Sequence, residues 1–175
     1  MKKTKNLVLA AMFLALGILL PFFTGQIKEI GDTLLPMHIP TMLCGLLCGP
    51  VYGLTVGLLM PVLRGVMFSM PPLYPNAVWM ALELATYGFV IGLLYRRKRK
   101  PNIGYLYACL GSAMIAGRLV WGAAKAVLLG VAGKTFTIEA FVAGGLLDAW
   151  PGIVLQLVLI PAIMALVEHR THMEA

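Results

Sequence analysis

Apolar residues fill six stretches of this chain, and the breaks between them are short, polar or rich in proline. A helix that crosses a bilayer needs about 20 mostly apolar residues, so the pattern predicts an all-α membrane protein of six transmembrane helices. The first runs over Leu7–Phe23 and is followed by a polar loop through Gln26, Lys28, Glu29 and Asp32. The second, short and proline-containing, covers Pro36–Cys48 and turns at Gly49-Pro50 into a third over Val51–Phe68. The segment Ser69–Pro75 cannot continue a helix, because its prolines remove donors and restrict their neighbours. A fourth helix is predicted over Asn76–Tyr95, a fifth over Ile103–Val131 and a sixth over Ile138–Glu168. The last two exceed one bilayer crossing and must tilt, break or project.

Composition agrees with that pattern and narrows it. The 175 residues are 60% hydrophobic and 12% charged, which implies one integral membrane domain with no room for a separate soluble catalytic unit. The amino end has a signal-like charge pattern, but no small-residue cleavage site precedes the next span, so it reads as a retained first helix.

The net charge of +7 is distributed as membrane topology rather than as a nucleic-acid face. Nine of the 14 Lys and Arg lie at the amino end (Lys2, Lys3, Lys5), in the run Arg96–Lys100 and at Arg170. Opposite-side loops hold only Lys28 and Lys134. By the positive-inside rule both termini are cytoplasmic, and the loops after helices 1, 3 and 5 are external.

Small residues recur at helical spacing. Gly45, Gly49, Gly53 and Gly57 follow every four residues across the second and third helices, and Gly88 and Gly92 do so in the fourth. Such spacing permits close backbone approach in lipid. Ala11 and Ala15 make a similar face near the cytoplasmic end of the first helix. Cys44, Cys48 and Cys109 lie in apolar segments without His or Cys partners at zinc-site spacing, and read as packing residues.

Ionisable residues inside spanning segments are costly and mark functional sites by default. With the orientation set, His38, Arg64, Glu83, Lys125 and Asp148 gather in the outer half. Arg64 and Glu83 fall roughly 8–10 Å from the external end on antiparallel neighbours, within reach of pairing. Asn76, Trp79, Glu83 and Tyr87 form one stripe of the fourth helix; Arg118, Trp121 and Lys125 form another on the fifth. Gly152 and Gln156 continue the face of Asp148. Tyr74, held between prolines, is a candidate lid residue. Two readings stand: a ligand cavity with Trp79 and Trp121 stacking on a flat molecule, or structural ion pairs Arg64–Glu83 and Lys125–Asp148. Buried pairs are costly relative to apolar replacements, which favours the cavity. Arg118, near mid-membrane, is alternatively the partner of a helix break.

Catalytic motifs are absent: no Gly-x-Ser-x-Gly, no His-Glu-x-x-His and no phosphate-binding glycine loop. ATP-driven transport would therefore need partner chains.

Six short-looped helices with an outward polar cavity and a small-residue face on the first resemble the substrate-binding S component of energy-coupling factor (ECF) vitamin transporters. The matching stretches are Ala11-Met-Phe-Leu-Ala15, HIPTMLCGLLCGPVYGLTVGLLMPVLRG at 38–65 and ELATYGFVIGLLYR at 83–96. The resemblance implies a subunit of a bacterial or archaeal cell membrane that captures a vitamin or precursor. It implies a transmembrane coupling subunit docked on Ala11 and Ala15, two partner ATPases that use the ATP, and no cofactor bound by this chain. Glu83, Trp121, Lys125 and Asp148 lie where the resemblance places a cavity, with roles inferred from chemistry, and His38, Arg64, Tyr74, Asn76, Trp79 and Arg118 join them as substrate-binding candidates from the polar pattern itself. No amino-terminal Met-His metal arm is present, which turns the resemblance away from nickel and cobalt carriers. It is nearest to the group with pantothenate and folate carriers, with pyridoxine and queuosine-precursor carriers beside it. The reading from another class is a small membrane enzyme or assembly factor acting on a lipid. A self-contained secondary transporter is disfavoured because no internal repeat relates the two halves.

Overall fold

The computed structural model describes residues 2–23, 33–98 and 102–173 of the chain. The loop containing Gln26, Lys28, Glu29 and Asp32, and residues Arg99 and Lys100, lie outside the described residues, as do the side chains of Lys2, His169, Arg170 and His172. The described residues are helical and contain no strand. Seven α-helices follow in order: α1 Lys2–Phe23, α2 His38–Cys48, α3 Pro50–Phe68, α4 Val78–Arg97, α5 Ile103–Val131, α6 Ile138–Val142 and α7 Trp150–Met173. Five segments are long and apolar enough to cross a membrane: Lys3–Phe23, Pro50–Phe68, Leu73–Arg97, Ile103–Val131 and Trp150–Val167. The remaining predicted span, the second, corresponds to α2, whose 11 residues rise only about 16 Å.

The differences from the predicted elements have local causes. Pro36 and Met37 form a turn, and α2 starts only at His38. The fourth helix is entered through a wide π-type turn, Leu73–Ala77, in which the Ala77 N–H donates to Pro72 O at 3.0 Å. The sixth predicted helix is broken. A second π-type turn at Ala143–Leu147 contains the adjacent poor helix formers Gly144 and Gly145, and α7 restarts with Pro151 in its first turn. By contrast α5 is continuous over 29 residues, about 43 Å against a hydrocarbon thickness of about 30 Å. Asn102 caps its start, accepting from the Tyr105 N–H at 3.1 Å.

Backbone proximity organises α2, α3 and α4. A Cβ added to Gly53 would lie 2.7 Å from Gly45 Cα, and one added to Gly88 would lie 2.8 Å from Gly53 Cα. On Gly92 it would meet Pro50 N at 2.7 Å. Without side chains at these positions three helices touch main chain to main chain, and dispersion and Cα–H contacts replace a hydrophobic driving force that lipid does not supply. Met42, Leu84, Ile91 and Leu110 fill the space on either side, fully buried. Gly49, with φ +104°, ends α2; the Arg96 side chain lies over it and donates to Cys48 O at 2.6 Å. α7 is attached most sparingly, through limited contacts with α2 and α5.

Candidate functional site

The α4 face carrying Trp79, Glu83 and Tyr87 is turned toward α5 and the start of α2. Glu83 is 2% exposed, and Arg118 of α5 reaches it with Nη1 2.9 Å from Oε1. The Tyr87 hydroxyl donates to the same oxygen at 3.3 Å. His38 Nε2 stands 3.6 Å away, its ring set edgewise on Tyr87 with centroids 5.1 Å apart. Gly117 is what allows Tyr87 to lie against α5, since a Cβ there would meet the phenol ring at 2.9 Å.

This cluster is under-satisfied. Arg118 Nε and Nη2 and both His38 ring nitrogens are buried without a hydrogen-bond partner among the described residues, and so is Gln156 Nε2. Leaving such a group unmade costs about 1–3 kcal/mol, so their concentration around one ion pair is not explained by stability. Unpaired polar atoms of Arg118 and His38 beside the Glu83 carboxylate, held in a low-dielectric setting, are groups that a polar ligand could satisfy.

One helical turn further from the Arg96 end of α4 lies an aromatic enclosure. The Lys125 ammonium is 4.6 Å from the Trp121 ring centroid, 5.5 Å from that of Trp79 and 5.3 Å from that of Phe136. Arg118 also lies over Trp121, at 5.7 Å. Phe136 and Phe141 pack on Trp121 with centroids about 6 Å away. Gly144 and Gly145 leave the far edge of that indole uncrowded: an added Cβ would come no closer than 3.4 Å. Cation–π attraction holds the ammonium within a largely apolar wall, and grows when water is excluded.

The predicted residues therefore divide. His38, Trp79, Glu83, Arg118, Trp121 and Lys125 converge. Arg118 pairs with Glu83, and its own helix, α5, is unbroken through it. Arg64 does not pair with Glu83. It is 3% exposed and donates from Nη1 to Ile18 O at 2.7 Å, with its guanidinium between Phe22 and Phe68 at 5.2 and 5.8 Å. Depth along antiparallel helices does not say which neighbour a helix face turns toward; Arg64 turns to α1. The Lys125–Asp148 pair is not formed either, since Lys125 is in the enclosure and Asp148 is exposed at the break before α7. Tyr74 is 61% exposed, and Asn76 is half-buried in the π-type turn.

Sequence reasoning missed Phe136 and Phe141. A bulky aromatic within the polar break between Lys134 and Glu139 was the available signal. Ala11 and Ala15 are exposed on α1, whereas Ala10 and Gly17 of the same helix are buried, Gly17 against Met60 of α3.

Comparison with known proteins bears on what this arrangement serves. A family model described as ECF transporter, substrate-specific component matches residues 5–167. No curated protein and no solved structure matches the chain. The match supports neither a lipid-processing enzyme nor a self-contained transporter, and members of this family work with a membrane coupling subunit and ATPases. The chain thus belongs to the substrate-specific component family of ECF transporters, as the multi-pass membrane subunit that captures substrate for an ECF importer.

Proposed function

We propose that this subunit captures a small water-soluble vitamin or vitamin precursor with high affinity, binding it between the Glu83–Arg118 pair and the Trp79–Trp121–Phe136 wall. The observation that carries the reading is the buried ion pair whose partners keep unused donors beside an aromatic enclosure. Arg118 and Lys125 suit a substrate carboxylate, and Glu83 suits a hydroxyl or amide N–H. Pantothenate, which has all three groups, heads the candidates. Folate, pyridoxine and a queuosine precursor follow, with Trp79 and Trp121 available to their rings. Mass spectrometry of denatured protein identifies what co-purifies, and calorimetric titration with these four compounds ranks them. A pantothenate-like ligand is expected. A covalently changed lipid, or no binding of any of the four, overturns the reading.

In the same reading α2, prolonged outward by residues 33–37, is the sixth crossing, and both termini are cytoplasmic. Loop charge supports this orientation. Single cysteines in a cysteine-free background test it: impermeant reagent is expected to label position 134 and not position 98. The reverse pattern refutes the orientation. Docking on the coupling subunit is assigned to Ala11 and Ala15, which face away from the bundle.

A further inference from the structure

A crevice opens between α5 and α7 at the basic end of α4. It is lined by Tyr95, Asn102, Ile103, Leu106, Pro161 and Met164, with Ala165 at its edge. The floor is apolar: Leu106 and Met164 are each 4% exposed, whereas Ile103 at the rim is 60% exposed. The mouth is cationic. Arg97 and Lys98 are exposed at this end of the chain segment, Arg96 being turned away to Cys48 O, and the Lys98 ammonium is positioned rather than loose. It donates to Asn102 Oδ1 at 3.3 Å and lies 5.1 Å from the centroid of the Tyr105 ring. That ring is itself anchored, its hydroxyl donating to Leu94 O at 2.7 Å. Because Asn102 and Ile103 begin α5, the positive end of that helix is also at the mouth. Two independent features thus meet: a short crevice with an apolar floor between the first turn of α5 and the Pro161–Ala165 turn of α7, and a held ammonium next to Arg97 at the end of α4.

We propose that this crevice binds an anionic glycerophospholipid, with an acyl chain in the slot against Leu106, Pro161 and Met164 and the phosphate at Arg97 and Lys98. Charge complementarity selects the headgroup, and a basic pocket between spanning helices is a setting in which such lipids are retained. The sparse α5–α7 contact makes room for the chain, which then fills part of the interface that protein side chains leave open. The site is at the opposite end of α4 from Trp79 and the substrate enclosure.

Native mass spectrometry of the purified protein in detergent, titrated with dioleoylphosphatidylglycerol or dioleoylphosphatidylcholine, tests this. One phosphatidylglycerol is expected to be retained selectively. The double variant Arg97→Gln, Lys98→Gln should lower its retention about ten-fold or more, at roughly 1 kcal/mol per basic group. Ala165→Trp keeps every charge and changes an exposed position, so it folds, and by filling the slot it should also remove the bound lipid. Equal retention of phosphatidylcholine overturns the proposal. So does displacement by excess inorganic phosphate, which would assign the site to a free anion. Unchanged retention in Ala165→Trp overturns it as well, by reducing the effect to surface charge. Loss of assembly with the coupling subunit in both variants, with lipid retention intact, would instead make the crevice a protein contact.

Discussion

Replacing Glu83 by Gln keeps the side chain's size and an acceptor for the Tyr87 hydroxyl but deletes the charge that Arg118 faces at 2.9 Å. The carboxylate side chain is 3% exposed and the guanidinium 11%, so water cannot replace the missing partner. Breaking a buried pair in this way costs about 3–5 kcal/mol; the retained Tyr87 bond puts Glu83→Gln at the lower end, about 3 kcal/mol. Arg118→Met should cost a similar amount, because it strands the carboxylate. The double variant leaves no stranded charge at this pair and should recover at least about 2 kcal/mol of the summed loss, which is coupling of the size found for contacting residues. Reversible denaturant unfolding in mixed micelles measures the cycle. Substrate affinity, titrated in parallel, is expected to behave differently. All three variants should bind at least about ten-fold more weakly, equivalent to about 1.4 kcal/mol, because the double variant restores folding and not the donor and acceptor. Additivity within about 0.5 kcal/mol would refute the pair. Wild-type affinity in the double variant would refute its role in binding.

Arg64→Met should lower stability by about 1–3 kcal/mol through loss of the Ile18 carbonyl bond and the Phe22–Phe68 packing, with substrate affinity changed less than about two-fold; a large affinity loss in a folded variant would return Arg64 to the binding set. Gly88→Ala forces a Cβ onto the Gly53 main chain and should cost about 1–3 kcal/mol or more by thermal unfolding. Gly104→Ala, with open space around it, should be neutral or gain up to about 1 kcal/mol, and equal effects would refute the main-chain seam. The double change Ala11→Leu, Ala15→Leu should leave binding by the isolated subunit intact while abolishing pull-down of the coupling module and ATP-dependent vesicle uptake. Normal uptake by this variant would place the docking face elsewhere.

Periodicity carried most of the fold because a segment that crosses a bilayer needs a minimum run of apolar residues. The glycine series was equally legible: Gly45, Gly53, Gly88 and Gly92 have few other uses at four-residue spacing, and they meet as the spacing implied. What could not be read was azimuth. Arg64 was the neighbour that depth set against Glu83, and only packing decides that Arg64 turns to α1 and Arg118 to α4. Irregular backbone was the second blind spot. The break at Gly144–Gly145 and the inward Phe136 depend on how the chain between α5 and α7 folds back over Trp121, for which no repeating pattern exists.

The first helix is fastened near both ends. Toward its start, Asn6 Nδ2 donates to Cys48 O at 3.3 Å, and Tyr52 donates to Lys3 O at 3.4 Å; toward its end, Arg64 grips Ile18 O. Ala11 and Ala15 lie between these fastenings, with exposed neighbours Leu7, Val8 and Met12. A helix tied at both ends reaches an encounter already ordered, so a partner that closes on the alanines surrenders little conformational freedom in return for the contact. Affinity at such a face depends on shape far more than on any folding that accompanies binding. The same tethering couples α1 to its neighbours at both ends, to Cys48 and Tyr52 near its start and to Arg64 of α3 near its end.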